Sequence, residues 1–159
     1  AYSQISEVDR KNLKLTIGGS GPELSKLKRF SKQNNLDVEF KGYIPEESKA
    51  EFLASSEVAV FPSIGGESFG IVLLEAMATD SPVVLAADNP GYSYVMETMP
   101  SQIFNPQDSQ KLASKLISAS GDKFRQKALK LQRARIKQLD INTIGPKILK
   151  VYEQAQDKA

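Results

Sequence analysis

The sequence predicts an α/β fold in which a parallel sheet carries helices on both faces. Three observations predict it. Strand-like and helix-like segments alternate from Leu13 to Phe104. Two of the strand-like segments, Val58-Ala59-Val60-Phe61 and Pro82-Val83-Val84-Leu85-Ala86, are near-continuous apolar runs, which suit strands buried on both sides. Glycine-rich turns follow Ile17 and Phe61, and each feeds a helix start.

Taken in order, Leu13-Lys14-Leu15-Thr16-Ile17 alternates and stops at Gly18-Gly19-Ser20-Gly21-Pro22, a strand followed by a turn, with Pro22 placed to open a helix. Leu24, Leu27 and Phe30 carry that helix to about Asn34. Val38–Gly42 is a second strand. Pro45 opens a helix whose first turn holds Glu46 and Glu47, as the helix dipole prefers. The run 58–61 is a strand stopped by Pro62, and Ile71–Ala78 is an apolar helix. The run 82–86 is a strand, 92–97 a short helix and 102–104 a weak strand. Three helices follow, near 108–119, 122–138 and 142–157, with Gly121 and Gly145-Pro146 as separators. The first five residues read like the end of a helix with no cap before it, as expected of a piece of a longer polypeptide.

Composition narrows the chemistry. The 159 residues are 40% hydrophobic and 25% charged, ordinary for one globular domain. The absence of cysteine excludes disulfide scaffolds and thiolate zinc sites. The absence of histidine excludes the Ser-His-Asp and Cys-His nucleophile systems and histidine metal motifs. Carboxylates, amines, hydroxyls and backbone amides remain. Charge is uneven: residues 1–110 carry 9 Lys/Arg against 15 Asp/Glu, and residues 111–159 carry 12 against 4. A basic tail reads as a solvated helical face, an anionic membrane contact or a nucleic-acid contact. The tail lacks interleaved aromatics beyond Phe124 and Tyr152, which argues against nucleic acid.

The chemistry concentrates in residues 61–78. Gly65 and Gly66 allow the backbone unusual φ and a close approach to a ligand. Ser68 is placed as the N-cap of the following helix, which leaves the amides of Phe69, Gly70 and Ile71 as free first-turn donors. Such donors, with the helix dipole, suit a phosphate or pyrophosphate. Glu75 sits inside an otherwise apolar helix, where glutamate is rarely buried without a partner. One turn into the helix it is expected to face the same crevice and to accept hydrogen bonds from the two hydroxyls of a ribose. Glu67, in the loop, is placed to serve a second polyol. A purely structural reading stands beside this one: Glu67 caps the helix, and Glu75 is paired with a Lys or Arg. A carboxylate pair also suits a glycoside hydrolase, but that reading leaves the phosphate cradle unexplained.

Glu67-Ser68-Phe69-Gly70-Ile71-Val72-Leu73-Leu74-Glu75-Ala76-Met77-Ala78, followed by Pro82-Val83-Val84, resembles the E-x7-E signature of retaining GT-B glycosyltransferases of the "glycosyl transferases group 1" family. The resemblance runs through nearly the whole chain: Gly18-Gly19-Ser20-Gly21-Pro22, Gly42-Tyr43-Ile44-Pro45, Ser55-Ser56-Glu57-Val58 and Asn105-Pro106-Gln107-Asp108 match the family in order. The Gly-Gly-Glu-Ser-Phe-Gly form and Asn89-Pro90-Gly91-Tyr92 also resemble lipid-acceptor mannosyl- and glucosyltransferases, a less specific signal than the E-x7-E block.

The resemblance implies a single Rossmann-like domain over 1–159, the C-terminal, donor-binding half of a GT-B enzyme with its first strand missing. It implies a retaining transfer of a hexose from a UDP- or GDP-sugar to a lipid or saccharide hydroxyl, with the acceptor held by a missing N-terminal half. Glu67, the implied catalytic residue, would hydrogen-bond the hydroxyls of the donor sugar, and Ser68, Phe69, Gly70 and Ile71 would bind the diphosphate. Glu75 would bind the ribose, and Tyr43 and Ile44 the base. Gly18, Gly19, Gly65 and Gly66 would line the crevice, Gly18 and Gly19 chiefly as a structural turn. No metal and no cofactor are implied, and no Asp-x-Asp occurs. The implied location is cytoplasmic, at the inner face of a membrane. A non-catalytic nucleotide- or phospholipid-binding module is the alternative. Three departures stand out: Asp80 where the family has Gly, Tyr94 near a usual Glu, and no Gly-Arg and Lys-Gly pair before the first strand to neutralise the leaving diphosphate.

Overall fold

The computed structural model describes residues 1–156, so residue 157 of the last expected helix lies outside the described residues. A 3-10 turn (Tyr2–Gln4) leads into a one-turn helix α1 (Glu7–Arg10), which the sequence reading missed; Ser6 caps it by accepting from the Asp9 amide at 3.1 Å. There follow β1 (Leu15–Gly18), α2 (Leu24–Gln33), β2 (Val38–Gly42), α3 (Glu46–Ala54), β3 (Val58–Phe61), α4 (Ile71–Ala78), β4 (Val83–Ala87), α5 (Pro90–Met96), β5 (Ile103–Phe104), α6 (Ser109–Ala119), α7 (Asp122–Leu139) and α8 (Ile141–Gln156). Pro22 lies in the turn before α2, which opens two residues later than expected.

All strand pairs are parallel, but they form two sheets: β1-β2, and β3-β4-β5 in that order. Residues on β4 alternate between two cores, as strand geometry requires. Val84 and Ala86 pack with Leu73, Ala76 and Met77 of α4 and Val95 and Met96 of α5. Val83, Leu85 and Ala87 pack with Leu112 and Leu116 of α6 and with Phe124 and Ala128 of α7. Helices therefore cover both faces of the sheet, as expected. At about 25 cal/mol per Å2, burying a Leu or Val side chain is worth ~1.5–3 kcal/mol, so these two layers hold the fold together.

Two details depart from the sequence reading. Gly145 and Pro146 lie inside α8 instead of ending a helix. The break falls at Asp140, whose carboxylate accepts from the Asn142 amide at 2.8 Å. Pro146 sits in the second turn of a helix that has no buried residue, so its missing N–H faces no apolar surroundings. Asp80 has φ 55°, the left-handed conformation usually given to glycine, and its side chain is held by Arg133 Nε at 2.6 Å. Among the described residues, no helix is long and apolar enough to cross a membrane.

Candidate functional site

In an open parallel sheet, ligands bind outside the carboxyl ends of the strands. The glycine turn after β1, Tyr43-Ile44 after β2, the loop 62–70 after β3 and α5 after β4 all lie at those ends.

The start of α4 differs from expectation. Its N-cap is Gly70, at φ 83°, and no side chain caps it; Ser68 is exposed in the loop. The Tyr92 ring packs on Gly70, where a Cβ would stand 2.6 Å from Tyr92 Cδ1. Glycine is needed for both the positive φ and the approach. Among the described residues, the amides of Phe69, Gly70 and Ile71 have no acceptor within the chain. These amides stand at the positive end of α4, where Gly70 is buried and Ile71 is 64% exposed.

Glu67 is exposed and caps nothing. Its Oε1 accepts from the Tyr92 hydroxyl at 3.4 Å. Burial, then the nearby Glu67 charge, raises the Tyr92 phenol above its ordinary value, so it stays a donor at neutral pH. Gly65 and Gly66 are exposed, and Ser63 Oγ donates to the Gly65 carbonyl at 3.0 Å.

Glu75 is half-buried, not enclosed, and it has a partner: Lys49 Nζ of α3 stands 3.0 and 3.1 Å from its two oxygens. Lys49 also meets Glu46 at 2.8 Å. The hydrogen bonds from Lys49 to Glu46 and to Glu75 raise the ammonium above its ordinary value. These groups line a cavity of about 310 Å3 between α3 and α4. The ion pair that the structural reading expected is thus present. Tyr43 is 73% exposed. Ile44 packs against Gly18, where a Cβ would lie 2.9 Å from Ile44 Cγ1 and Phe52 Cε1, so Gly18 spaces the first turn from the second. Gly19 is exposed at φ 124°.

The structure thus joins Gly18 with Ile44, Glu67 and Gly70 with Tyr92, and Glu75 with Lys49 of α3. Sequence reasoning missed Lys49, Gly91 and Tyr92 as neighbours of the site. The signal for Lys49 was its position three residues after Glu46 on a helix. For Gly91 and Tyr92 it was a Pro-Gly start to a helix directly after a buried strand.

Parallel strands, a glycine-rich turn and an uncapped helix start at the carboxyl edge define a doubly wound type of α/β domain. More specifically, the chain belongs to the glycosyl transferases group 1 family, whose model matches residues 1–138. It is 33% identical over 118 residues to the phosphatidyl-myo-inositol mannosyltransferase of Mycobacterium leprae, covering 73% of this chain and 31% of that protein. It is 35% identical over 121 residues to the enzyme of that name from Propionibacterium freudenreichii, covering 74% and 31%. The sucrose-phosphate synthase of Thermosynechococcus elongatus superposes with TM-score 0.72 at 28% identity, over 92% of this chain and 39% of that one. Anabaena HepE in complex with UDP gives 0.77 at 21% identity, over 96% of this chain and 43% of that one, which speaks to the fold alone. The fold is that of GT-B glycosyltransferases, and the chain spans about a third of the length of the mannosyltransferases it matches.

Proposed function

We propose that residues 1–159 are the donor-binding half of a retaining glycosyltransferase that moves a hexose from a UDP- or GDP-sugar to a lipid or saccharide hydroxyl. The observation that carries this is the start of α4: three free amides at Phe69–Ile71, with Glu67 before them and Glu75 one turn behind. The amides take the diphosphate, Glu67 the hexose hydroxyls and Glu75 the ribose hydroxyls. Tyr43 and Ile44 lie against the base. The family's chemistry then needs no histidine: catalysis rests on stabilising the departing diphosphate and on positioning the acceptor. The name of the mannosyltransferase relatives supports a lipid acceptor, and on this reading the protein works at the cytoplasmic face of a membrane.

The split sheet supports the remaining part of the reading. A doubly wound sheet of order 3-2-1-4-5-6 leaves a pair and a triplet when its first strand is taken out. The observed β2-β1 and β3-β4-β5 have that form. On this reading the complete sheet carries one more strand, and the acceptor sits in a further half of the protein.

The test is titration of the chain with UDP, GDP, ADP and their sugars, with and without EDTA, followed by NMR shifts. Metal-independent shifts confined to residues 43–49 and 65–76 are expected. The isolated chain is expected to bind without transferring sugar. If millimolar nucleotide leaves those residues unshifted, the donor-site reading fails.

A further inference from the structure

The loop that carries Glu67 has no regular structure between β3 and α4, and little of its own chain holds it. It is instead fastened at four points to the first turn of α5. Asn89 Nδ2 donates to the Ser63 carbonyl at 2.8 Å, while Asn89 Oδ1 accepts from the Tyr92 amide at 3.0 Å and so caps the helix. Gly91 lies against the Glu67 main chain so closely that a Cβ there would collide with the Glu67 carbonyl oxygen and Cβ. The Tyr92 hydroxyl meets Glu67 Oε1, and the Tyr92 ring packs on Gly70. Helix α5 is itself anchored: Val95 and Met96 are fully buried, and Arg135 of α7, 5% exposed, donates to the Tyr94 and Val95 carbonyls at its last turn.

We infer that Asn89, Gly91 and Tyr92 are positioning residues that set the distance between the Glu67 carboxylate and the Phe69–Ile71 amides. The inference rests on the donor-site reading above. Tyr92 is the central member because it alone touches both parts: its hydroxyl fixes the carboxylate, and its ring fixes the helix start. Gly91 contributes by having no side chain. A loop free to swing would leave the carboxylate and the amides uncoordinated, and a hexose joined to a diphosphate needs both at once.

Tyr92→Phe keeps the ring on Gly70 and removes only the hydroxyl. It is expected to leave affinity for UDP or GDP within about twofold and to reduce the extra affinity conferred by the hexose about five- to tenfold, one hydrogen bond's worth. Combined with Glu67→Ala, which removes the acceptor of the Tyr92 hydroxyl, it is expected to cost no more than Glu67→Ala alone. Gly91→Ala displaces the loop and is expected to weaken nucleotide and nucleotide-sugar alike. A measurement without ligand keeps the inference separate from the donor-site reading: amide hydrogen exchange at residues 63–71 is expected to rise in Tyr92→Phe and Gly91→Ala, with α7 unchanged. Unchanged exchange in both variants overturns the positioning role even if the nucleotide binds. Raised exchange in a protein that binds no nucleotide-sugar upholds the brace and overturns the donor-site reading. Additive losses in the double variant overturn the coupling of Tyr92 to Glu67.

Discussion

Lys49 Nζ on α3 holds both oxygens of Glu75 on α4, at 3.0 and 3.1 Å, and Glu46 at 2.8 Å. One ammonium therefore serves two carboxylates. Removing Glu75 still leaves Lys49 a partner, whereas removing Lys49 leaves two carboxylates side by side.

That asymmetry separates the two roles open to Glu75. If its oxygens receive ribose hydroxyls, Glu75→Gln lowers nucleotide affinity at least tenfold, because a hydrogen bond to a charged acceptor is worth ~1.5–3 kcal/mol. The melting temperature changes little, since the pair is partly exposed and such pairs contribute little to stability. Lys49→Met tests the other side. An ion pair with no further role predicts unchanged affinity per folded molecule for both variants, with at most a small fall in melting temperature. Calorimetric titration beside thermal melts distinguishes the two.

Asp80 carries the left-handed turn between α4 and β4 at φ 55°, with Arg133 on its carboxylate. A residue with a Cβ pays roughly 1–2 kcal/mol for that conformation, less when a short polar side chain bonds locally. Asp80→Ala keeps the strain and loses the Arg133 contact, so it is expected to destabilise by about 1 kcal/mol. Asp80→Gly relieves the strain and loses the contact, so it is expected to stay within about 0.5 kcal/mol of the parent. Urea unfolding of the two variants checks the order.

Much of this fold is legible in the sequence, for physical reasons. β3 is an apolar run stopped by a proline, α3 follows Pro45 with acids in its first turn, and α4 is an apolar stretch after glycines. Those signals are local. What was not legible depends on approach between distant segments. Ser68 looks like a cap, but the N-cap of α4 is Gly70, on which Tyr92 packs. The partner of Glu75 lies 26 residues away on another helix, which no spacing on α4 reveals. The division into two sheets is likewise a matter of which strands meet.

Glu39 gives a pH dependence of defined sign. Its carboxylate meets Lys41 at 2.6 Å and Lys14 at 2.9 Å. Hydrogen bonds from Lys41 and then Lys14 lower it from 4.5 to about 2. A carboxylate lowered in the folded state stabilises that state above its unfolded value, and the gain is lost as pH falls through the folded value. The contribution is therefore whole above about 4.5 and drains away toward about 2. Melting temperatures of the parent and Glu39→Gln are expected to differ at neutral pH and to converge across that window. Because the group is partly exposed, salt is expected to shrink the difference. A difference that grows on acidification would contradict the assignment.

The sharpest stability prediction concerns two buried glutamines. β5 pairs with β4 only at Ala86 and Ala87, so the earlier part of β4 lacks a strand on that side. Side chains replace it. Gln132 Oε1 of α7 accepts from the Val84 amide at 3.0 Å and from Gln102 Nε2 at 2.8 Å, and Gln132 Nε2 donates to the Pro82 carbonyl at 3.0 Å. Gln102 Nε2 also donates to the Val84 carbonyl at 2.8 Å, and both glutamines are at most 1% exposed. Gln132→Leu leaves the Val84 amide and the Pro82 carbonyl without partners and removes one acceptor from Gln102. At about 1–3 kcal/mol for each orphaned buried group, a loss of roughly 3 kcal/mol or more is expected. Gln102→Leu orphans only the Val84 carbonyl, and it also removes Gln102 Oε1, a buried acceptor with no partner among the described residues. Its cost is expected to be smaller, about 1–2 kcal/mol, because one penalty replaces another. Urea unfolding with matched m-values reads the difference directly. Equal costs would mean that water, not Gln132, satisfies the Val84 amide once the strand ladder ends.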